Sequence, residues 1–426
     1  MISQVHQGQK HRKSARGGYV FDLTRGKNTA KVPVVGVGGK TCLRTEVPPV
    51  CAQKHNFYVI FQYIRCMYLP YDQNIDAKVL AQIYKNTTAT YKFYWFASIL
   101  DILVKEGKTS MSFWEIIIGM IAEAWYPVHY FRISFGKSDS LSGQIIQLHQ
   151  ALHLPIDSDK ELLKRDLAKN LNRPEIKSLL NVFTINVPYR FLSPWINHIT
   201  NNQVEAQSQT FYNNCMYAIQ GEHIHVNPLW LPYLRDNYVI LKEFTFWNLT
   251  LFLQKRNPNV PDLSSKLVKP IQRDSLLKQR RYWDNFIEVN GPIRCIYIGR
   301  PLGKNFYAID HFIPWSFVSH NLLWNLLPVD PGVNSAKSND LPRLDIFLRP
   351  FAQVHNKVLK TAYYNNPNNK LLEDYLVLYD SVYELVELSP DDFYSVYKKT
   401  FSPLVQIAEN MGFKYWKTQY DRHENR

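Results

Sequence analysis

The stretch at residues 308–342 places the strongest constraint on how this chain folds. It opens with a short apolar run that ends in the adjacent pair Asp310–His311, and Pro314 follows shortly after. Proline cannot continue a sheet ladder, so the run predicts a strand that ends near the histidine. Further on, Asn334 and Lys337 stand three residues apart, which places both on one face of a helix. The stretch therefore predicts a strand, a loop and a helix in close succession.

The polar residues of this stretch suit metal-assisted cleavage of a phosphodiester. Anionic phosphate oxygens repel a nucleophile, so hydrolysis of such a bond needs a hard cation on the phosphate and a base near the attacking water. Asp310 and Asn334 offer one charged and one neutral oxygen of the type that Mg²⁺ accepts. His311 offers a base, because the unperturbed pKa of histidine lies near working pH. Adjacent strand residues point to opposite faces, so Asp310 and His311 can share a site only where the strand ends or twists.

In order and spacing, these residues resemble the HNH nuclease domain of the ββα-metal type. The resemblance runs from about Cys295 to Pro342 and covers about 50 of the 426 residues. Its tail, Asn334-x-x-Lys337, is most similar to the HNH domains of RNA-guided CRISPR effectors and their stand-alone bacterial relatives.

The resemblance implies a role for each matching residue. His311 would be the general base, and Asp310 and Asn334 would be the ligands of Mg²⁺ or Mn²⁺. Asn325 would orient the loop as the middle residue of the triad. Lys337 would contact either phosphate or the active-site backbone.

Outside this stretch the apolar residues recur mostly at helical spacing. The expected class is α+β, with a mostly α-helical body and an inserted ββα-metal HNH nuclease domain. The nuclease strands are expected at 293–298 and 306–309. Helices are predicted at residues 77–84, 91–104, 112–125, 141–152, 158–170, 173–180, 238–255, 274–289, 351–363, 370–386 and 390–411.

Four segments are predicted along the chain. Residues 1–55 form a basic, unfolded leader, and residues 56–290 form a helical N-terminal domain. Residues 291–350 form the nuclease domain. Residues 351–426 form a C-terminal helical segment that packs on the body.

The net charge of +14 is typical of a protein that meets polyanions, but it is unevenly distributed. Residues 1–55 carry a net charge of +8, which leaves +6 for the remainder of the chain. The cluster Lys278, Arg280 and Arg281, just before the nuclease stretch, is either a grip on a phosphate backbone or a solvated helix face. Both interpretations stay open from the sequence.

The five cysteines are scattered and odd in number, which indicates a reducing compartment without a disulfide framework. Cys295 has no cysteine partner two or three residues away, so the structural zinc site of many HNH domains is not expected. No apolar run reaches the roughly 18 residues of a membrane span. The chain is therefore expected to be cytoplasmic and not associated with a membrane.

Three functions remain. The first is a metal-dependent endonuclease that acts on DNA, with RNA not excluded. The resemblance implies that it works in a mobile element or in a prokaryotic defence system, where a protein of that system would be its partner. The second is a nuclease toxin or effector gated by a partner. The third is a non-catalytic nucleic-acid-binding module, against which the joint presence of Asp310, His311, Asn325 and Asn334 argues.

Overall fold

Three stretches of the chain are described by the computed structural model: residues 69–197, 200–269 and 274–417. The predicted leader at 1–55 lies outside them. Helices make up most of the described residues and the strands are short, so the α+β class is confirmed. No helix among the described residues is both long and apolar enough to cross a membrane.

The first region, residues 69–269, is built around a long apolar helix. This helix begins after Ser112, whose hydroxyl accepts a hydrogen bond from the Glu115 N–H while the Glu115 carboxylate accepts one from the Ser112 N–H. Its side chains are buried nearly all round, so it lies in the middle of the region. The helices of this region are α1 Ala77–Leu80, α2 Tyr91–Lys105, α3 Phe113–His129, α4 Leu141–Leu152, α5 Lys160–Asn170, α6 Pro174–Phe191, α7 Asn201–Gln209, α8 Leu231–Asp236 and α9 Tyr238–Gln254.

A small antiparallel sheet accompanies these helices. Its strands are β1 Ser110–Ser112, β2 Tyr217–Gln220 and β3 His223–Val226, in the order β1-β3-β2. Gly221 makes the turn between β2 and β3 with a φ of 58°, a backbone conformation that glycine adopts without strain.

The second region, residues 274–417, contains the stretch at 308–342, which constrains the fold most strongly. Its elements are α10 Leu277–Asn290, β4 Ile293–Arg294, β5 Pro301–Leu302, β6 Ala308–His311, α11 Trp315–Val318, β7 Leu326–Val329, α12 Pro331–Lys337, α13 Leu344–Asn365, α14 Val382–Glu387 and α15 Pro390–Asn410. β4 pairs with β5 and β6 pairs with β7, both antiparallel.

Each region has its own hydrophobic core. The first core draws its buried residues from Leu69 to Leu267, and the second from Tyr282 to Phe413. α13 and α15 belong to the second core, so the C-terminal helices pack mainly on the segment predicted as the nuclease domain. The segment that follows α15 contacts the first region, where the Arg132 guanidinium lies 4.8 Å from the centre of the Phe413 ring. Whether the predicted segments fold as separate domains stays a prediction.

Two local predictions are wrong. Residues 370–386 do not form one helix: a 3₁₀ helix ends at Val377, and α14 begins after Ser381, whose hydroxyl accepts from the Glu384 N–H. The strands predicted at 293–298 and 306–309 do not pair with each other. A tight turn stops the first of them, because the Gly299 N–H donates to the Cys295 carbonyl.

Candidate active site

Strand β6 and helix α12 place the candidate site residues. β6 ends at His311, opposite Leu326 of β7. α12 begins after Asp330, whose carboxylate accepts a hydrogen bond from the Gly332 N–H at 2.9 Å. Pro331 occupies the first helical position, where its missing N–H costs nothing. The chain therefore runs β6, α11, β7 and α12, with the strand end and the helix side by side.

A cavity of about 440 Å³ lies at this strand end. Asp310, His311 and Asn334 all line it, so three of the predicted residues share one site. The adjacent Asp310 and His311 both reach it because β6 stops there. Its other lining residues are Tyr130, Asp274, Leu276, Ile309, Pro314, Trp315, Asn321, Ser335, Ser338 and Asn339.

Asp310 is 4% exposed and is held by two side chains. Its Oδ1 accepts a hydrogen bond from Lys337 Nζ at 3.1 Å, and its Oδ2 accepts one from the Tyr297 hydroxyl at 3.2 Å. Burial raises the pKa of Asp310, and the Lys337 ammonium opposes that rise. The Lys337 ammonium therefore offsets only part of the free energy that it costs to bury the Asp310 carboxylate in its charged form.

Lys337 is fully buried at the end of α12. Besides Asp310, its Nζ donates to the His311 carbonyl at 2.8 Å. Of the two contacts that the resemblance implies, the geometry corresponds to the one with the active-site backbone. The ammonium fixes the position of both Asp310 and the strand end.

His311 is oriented by a loop residue. Its Nε2 donates a hydrogen bond to Asn321 Oδ1 at 3.0 Å. Because a carboxamide oxygen only accepts, the neutral imidazole then has its acceptor lone pair on Nδ1. The Asn321 carbonyl accepts from Gln279 of α10 at 2.9 Å, which anchors the loop.

The Asn325 side chain is fully buried, and its hydrogen bonds are to backbone groups. Its Oδ1 accepts from the Ile313 N–H at 2.9 Å, and its Nδ2 donates to the Ile313 carbonyl at 2.8 Å. The Phe312 N–H also donates to the Asn325 carbonyl at 2.8 Å. These bonds hold the loop after β6 against the segment before β7.

The three cations of the predicted basic cluster on α10 differ in their exposure to solvent. Arg280 is half-buried, donates to the Tyr307 carbonyl at 3.2 Å and lies 4.7 Å from the centre of the Tyr307 ring. Lys278 and Arg281 are exposed and line a different cavity, between α10 and α13. Arg280 thus packs within the fold, whereas the other two cations face solvent.

Three residues of the site were not predicted from the sequence. Tyr297 lies in the turn between β4 and β5, Asn321 lies in the loop before β7, and Tyr130 comes from the first region. The Tyr130 ring lies 6.4 Å from that of Trp315 across the edge of the cavity. Of these three residues, only Asn321 could have been suspected from the sequence, because it is a second asparagine close to Asn325.

The donor set fits a single hard cation. Asp310 and Asn334 bring one charged and one neutral oxygen to the cavity, and the Asn334 carboxamide makes no hydrogen bond among the described residues. A carboxylate offers about four lone-pair positions, so Asp310 keeps acceptor capacity beside its bonds to Lys337 and Tyr297. Mg²⁺ keeps several waters and uses one or two carboxylates. Within the described stretches no group of three or more His, Cys, Asp or Glu is placed to hold a metal ion.

Residues 295–343 match the sequence model of a protein family described as HNH endonuclease. The matched segment contains β5, β6, β7, α12 and the residues Tyr297, Asn321 and Lys337, which hydrogen-bond to Asp310 or His311. The chain therefore carries an HNH endonuclease domain, and this domain indicates nuclease activity on nucleic acid. Neither a curated protein nor a solved structure showed significant similarity to the chain.

Proposed function

We propose that this protein is a metal-dependent endonuclease of the ββα-metal type that hydrolyses phosphodiester bonds in DNA. The observation that carries the proposal is the convergence on one cavity of Asp310, His311 and Asn334, three residues of the HNH segment. A setting in a prokaryotic defence system or a mobile element, with a partner protein, is supported only by the resemblance to RNA-guided effectors and their stand-alone relatives. A location in the cytoplasm is supported by the scattered cysteines, odd in number, which suit a reducing compartment.

Asp310 and Asn334 are proposed to hold Mg²⁺ or Mn²⁺ through their oxygens. When bound, such an ion supplies positive charge to the phosphate oxygens. Lys337 and Tyr297 keep the Asp310 carboxylate in place as that ligand. The base, the ligands and the residues that position them therefore come from one strand end, one helix, the loop before β7 and the turn between β4 and β5.

His311 is proposed to take the proton from the attacking water. The water oxygen forms a bond to phosphorus while the bond from phosphorus to the leaving oxygen breaks, and the leaving oxygen takes up a proton from solvent water. Asn321 fixes the ring by accepting a hydrogen bond from Nε2, and the imidazole of His311 is the group that takes the proton. Asn325 has no part in these transfers and fixes the loop on which the ring depends.

The test is cleavage of supercoiled plasmid with Mg²⁺, with Mn²⁺ and after exhaustive chelation. The wild type is expected to cut with either ion and to stop with EDTA, without a requirement for Zn²⁺. His311→Ala is expected to lose about 10²-fold or more, the usual effect of removing a positioned general base. His223→Ala, an exposed histidine on β3, is the matched control and should cut normally. Undiminished cleavage by His311→Ala or after chelation overturns the mechanism.

A further inference from the structure

A second cavity, of about 620 Å³, lies between α10 and α13. Its α10 wall carries Lys278, Arg281 and Asn285, and its α13 wall carries Asn365. We call it the α10–α13 groove. Its volume is within the range of pockets that take small ligands, so it has room for a short stretch of one strand rather than for a duplex.

The charge of the groove is positive. Lys278 and Arg281 are exposed and neither forms an ion pair with any described residue. Glu288 also lines the groove, but its carboxylate is paired with Lys304 at 2.7 Å. Two uncompensated cations therefore face the open space, which favours an anionic occupant.

The groove also presents carboxamides. Asn366 and Asn369 use their Oδ1 atoms to hold the turn after α13, accepting from the N–H groups of Asn368 and Leu371 at 3.1 Å. Asn285 and Asn365 make no side-chain hydrogen bond among the described residues. A carboxamide offers a donor and an acceptor side by side, which matches the edges of nucleobases.

The groove cations and the carboxamide of α10 lie on one face of the helix, because Lys278, Arg281 and Asn285 follow the i, i+3, i+7 spacing. We propose that the groove binds a single nucleic-acid strand, with phosphates on Lys278 and Arg281 and bases on Asn285 and Asn365. The identity of that strand as substrate rests on the proposed function.

The first test is binding of a labelled single-stranded DNA to the full chain in EDTA, measured by fluorescence anisotropy across a salt titration. Lys278→Glu/Arg281→Glu is expected to weaken binding about tenfold or more. The salt dependence should become shallower by about 1.4, since each phosphate contact on a single strand contributes about 0.7 to the slope. Lys398→Glu/Lys399→Glu on α15 changes the net charge equally on exposed residues and should have less than a twofold effect.

The second test separates base contacts from charge. Asn285→Ala/Asn365→Ala is expected to lose several-fold in affinity for a normal strand and to bind an abasic strand as the wild type does. Equal losses on both strands overturn the base contacts. Unchanged binding by the charge-reversal variant, or an equal loss in the α15 control, overturns the groove as a strand site. Because EDTA prevents cleavage, an inactive wild type would overturn the proposed function without deciding these outcomes.

Discussion

Asp101 in the first region and Asp310 in the second are both buried aspartates, but the charges around them differ. Asp101 of α2 is 2% exposed, and Asp310 of β6 is 4% exposed. Asp101 is paired with Lys160 at 2.8 Å, Lys242 at 3.1 Å and Lys105 at 3.4 Å, whereas among the described residues Asp310 is paired with Lys337 alone. Burial acts against ionisation at both sites, but the lysines around Asp101 outweigh it and lower its pKa, while the pKa of Asp310 is raised.

We interpret this difference as that between a structural charge, Asp101, and a charge with the proposed metal-binding role, Asp310. Lys160 and Lys242 come from α5 and α9, so the cluster ties three helices together and its charge is met within the protein. Asp310 is short of positive charge and faces a cavity, which is the condition under which a carboxylate gains from an added cation. The following predictions test that contrast.

The largest expected effect is on Asp310→Asn, which removes the charged ligand. Cleavage should fall by about 10³-fold or more, because the charge that a metal supplies is worth several kcal/mol in the transition state. The increase in melting temperature that Mg²⁺ gives the wild type should vanish. Since the substitution leaves Lys337 buried without its partner, Asp310→Asn/Lys337→Met serves as a second variant that removes both charges. Retention of the Mg²⁺-dependent increase by both variants would contradict the metal assignment.

Asp101→Asn should affect stability and not chemistry. We expect a loss of about 3 kcal/mol, at the low end for breaking a buried pair, because Glu123 still faces Lys160 and Lys242. A lowered carboxyl pKa stabilises the fold above the unfolded value of 3.8, and this stabilisation is lost as the pH falls toward the lowered one. Urea unfolding should therefore show the difference from wild type to be constant above about pH 5 and to shrink below about pH 4. A difference that grows on acidification would refute the cluster's role.

Asn321→Ala tests the orientation of His311. Loss of one hydrogen bond of about 1–1.5 kcal/mol predicts a roughly tenfold lower kcat with little change in KM. Single-turnover cleavage at saturating Mg²⁺ measures it. Asn368→Ala, an exposed asparagine of the turn after α13, is the control, and equal rates for the two variants would remove Asn321 from the site.

The smallest effect is expected for Tyr297→Phe. At 3.2 Å its bond to Asp310 is long for a hydroxyl donor, so its loss should cost about 1 kcal/mol. The Mg²⁺ concentration for half-maximal cleavage should rise about fivefold, with the saturated rate nearly unchanged. Tyr238→Phe removes the 2.6 Å hydrogen bond to Asp101 and should lower the melting temperature while leaving the Mg²⁺ dependence alone. The distinction between the two aspartates would fail if Tyr297→Phe lowered only the melting temperature and Tyr238→Phe changed only the Mg²⁺ dependence.

The sequence predicted the parts of the site that depend on short-range structure. Asp310 and His311 at a strand end, and Asn334 with Lys337 on one helix, follow from a proline and from helical spacing. The burial of Lys337 could not be predicted, because a lysine at a helix end is usually solvated and only the packing of α12 beside β6 encloses it. Sequence also could not tell whether Asn321 or Asn325 reaches His311, since both stand in one loop. Tyr130 belongs to the other region altogether.

Asn325 completes the β6–β7 sheet with side-chain atoms. Its planar carboxamide meets both the N–H and the carbonyl of Ile313, as a peptide group of a neighbouring strand would. The next residue, Pro314, has no N–H with which to extend the ladder further. A side chain of similar size and shape is therefore not enough to replace Asn325. An aspartate, almost identical in size, would turn an oxygen toward the Ile313 carbonyl, and the final rung of the sheet would become a repulsion between two acceptors.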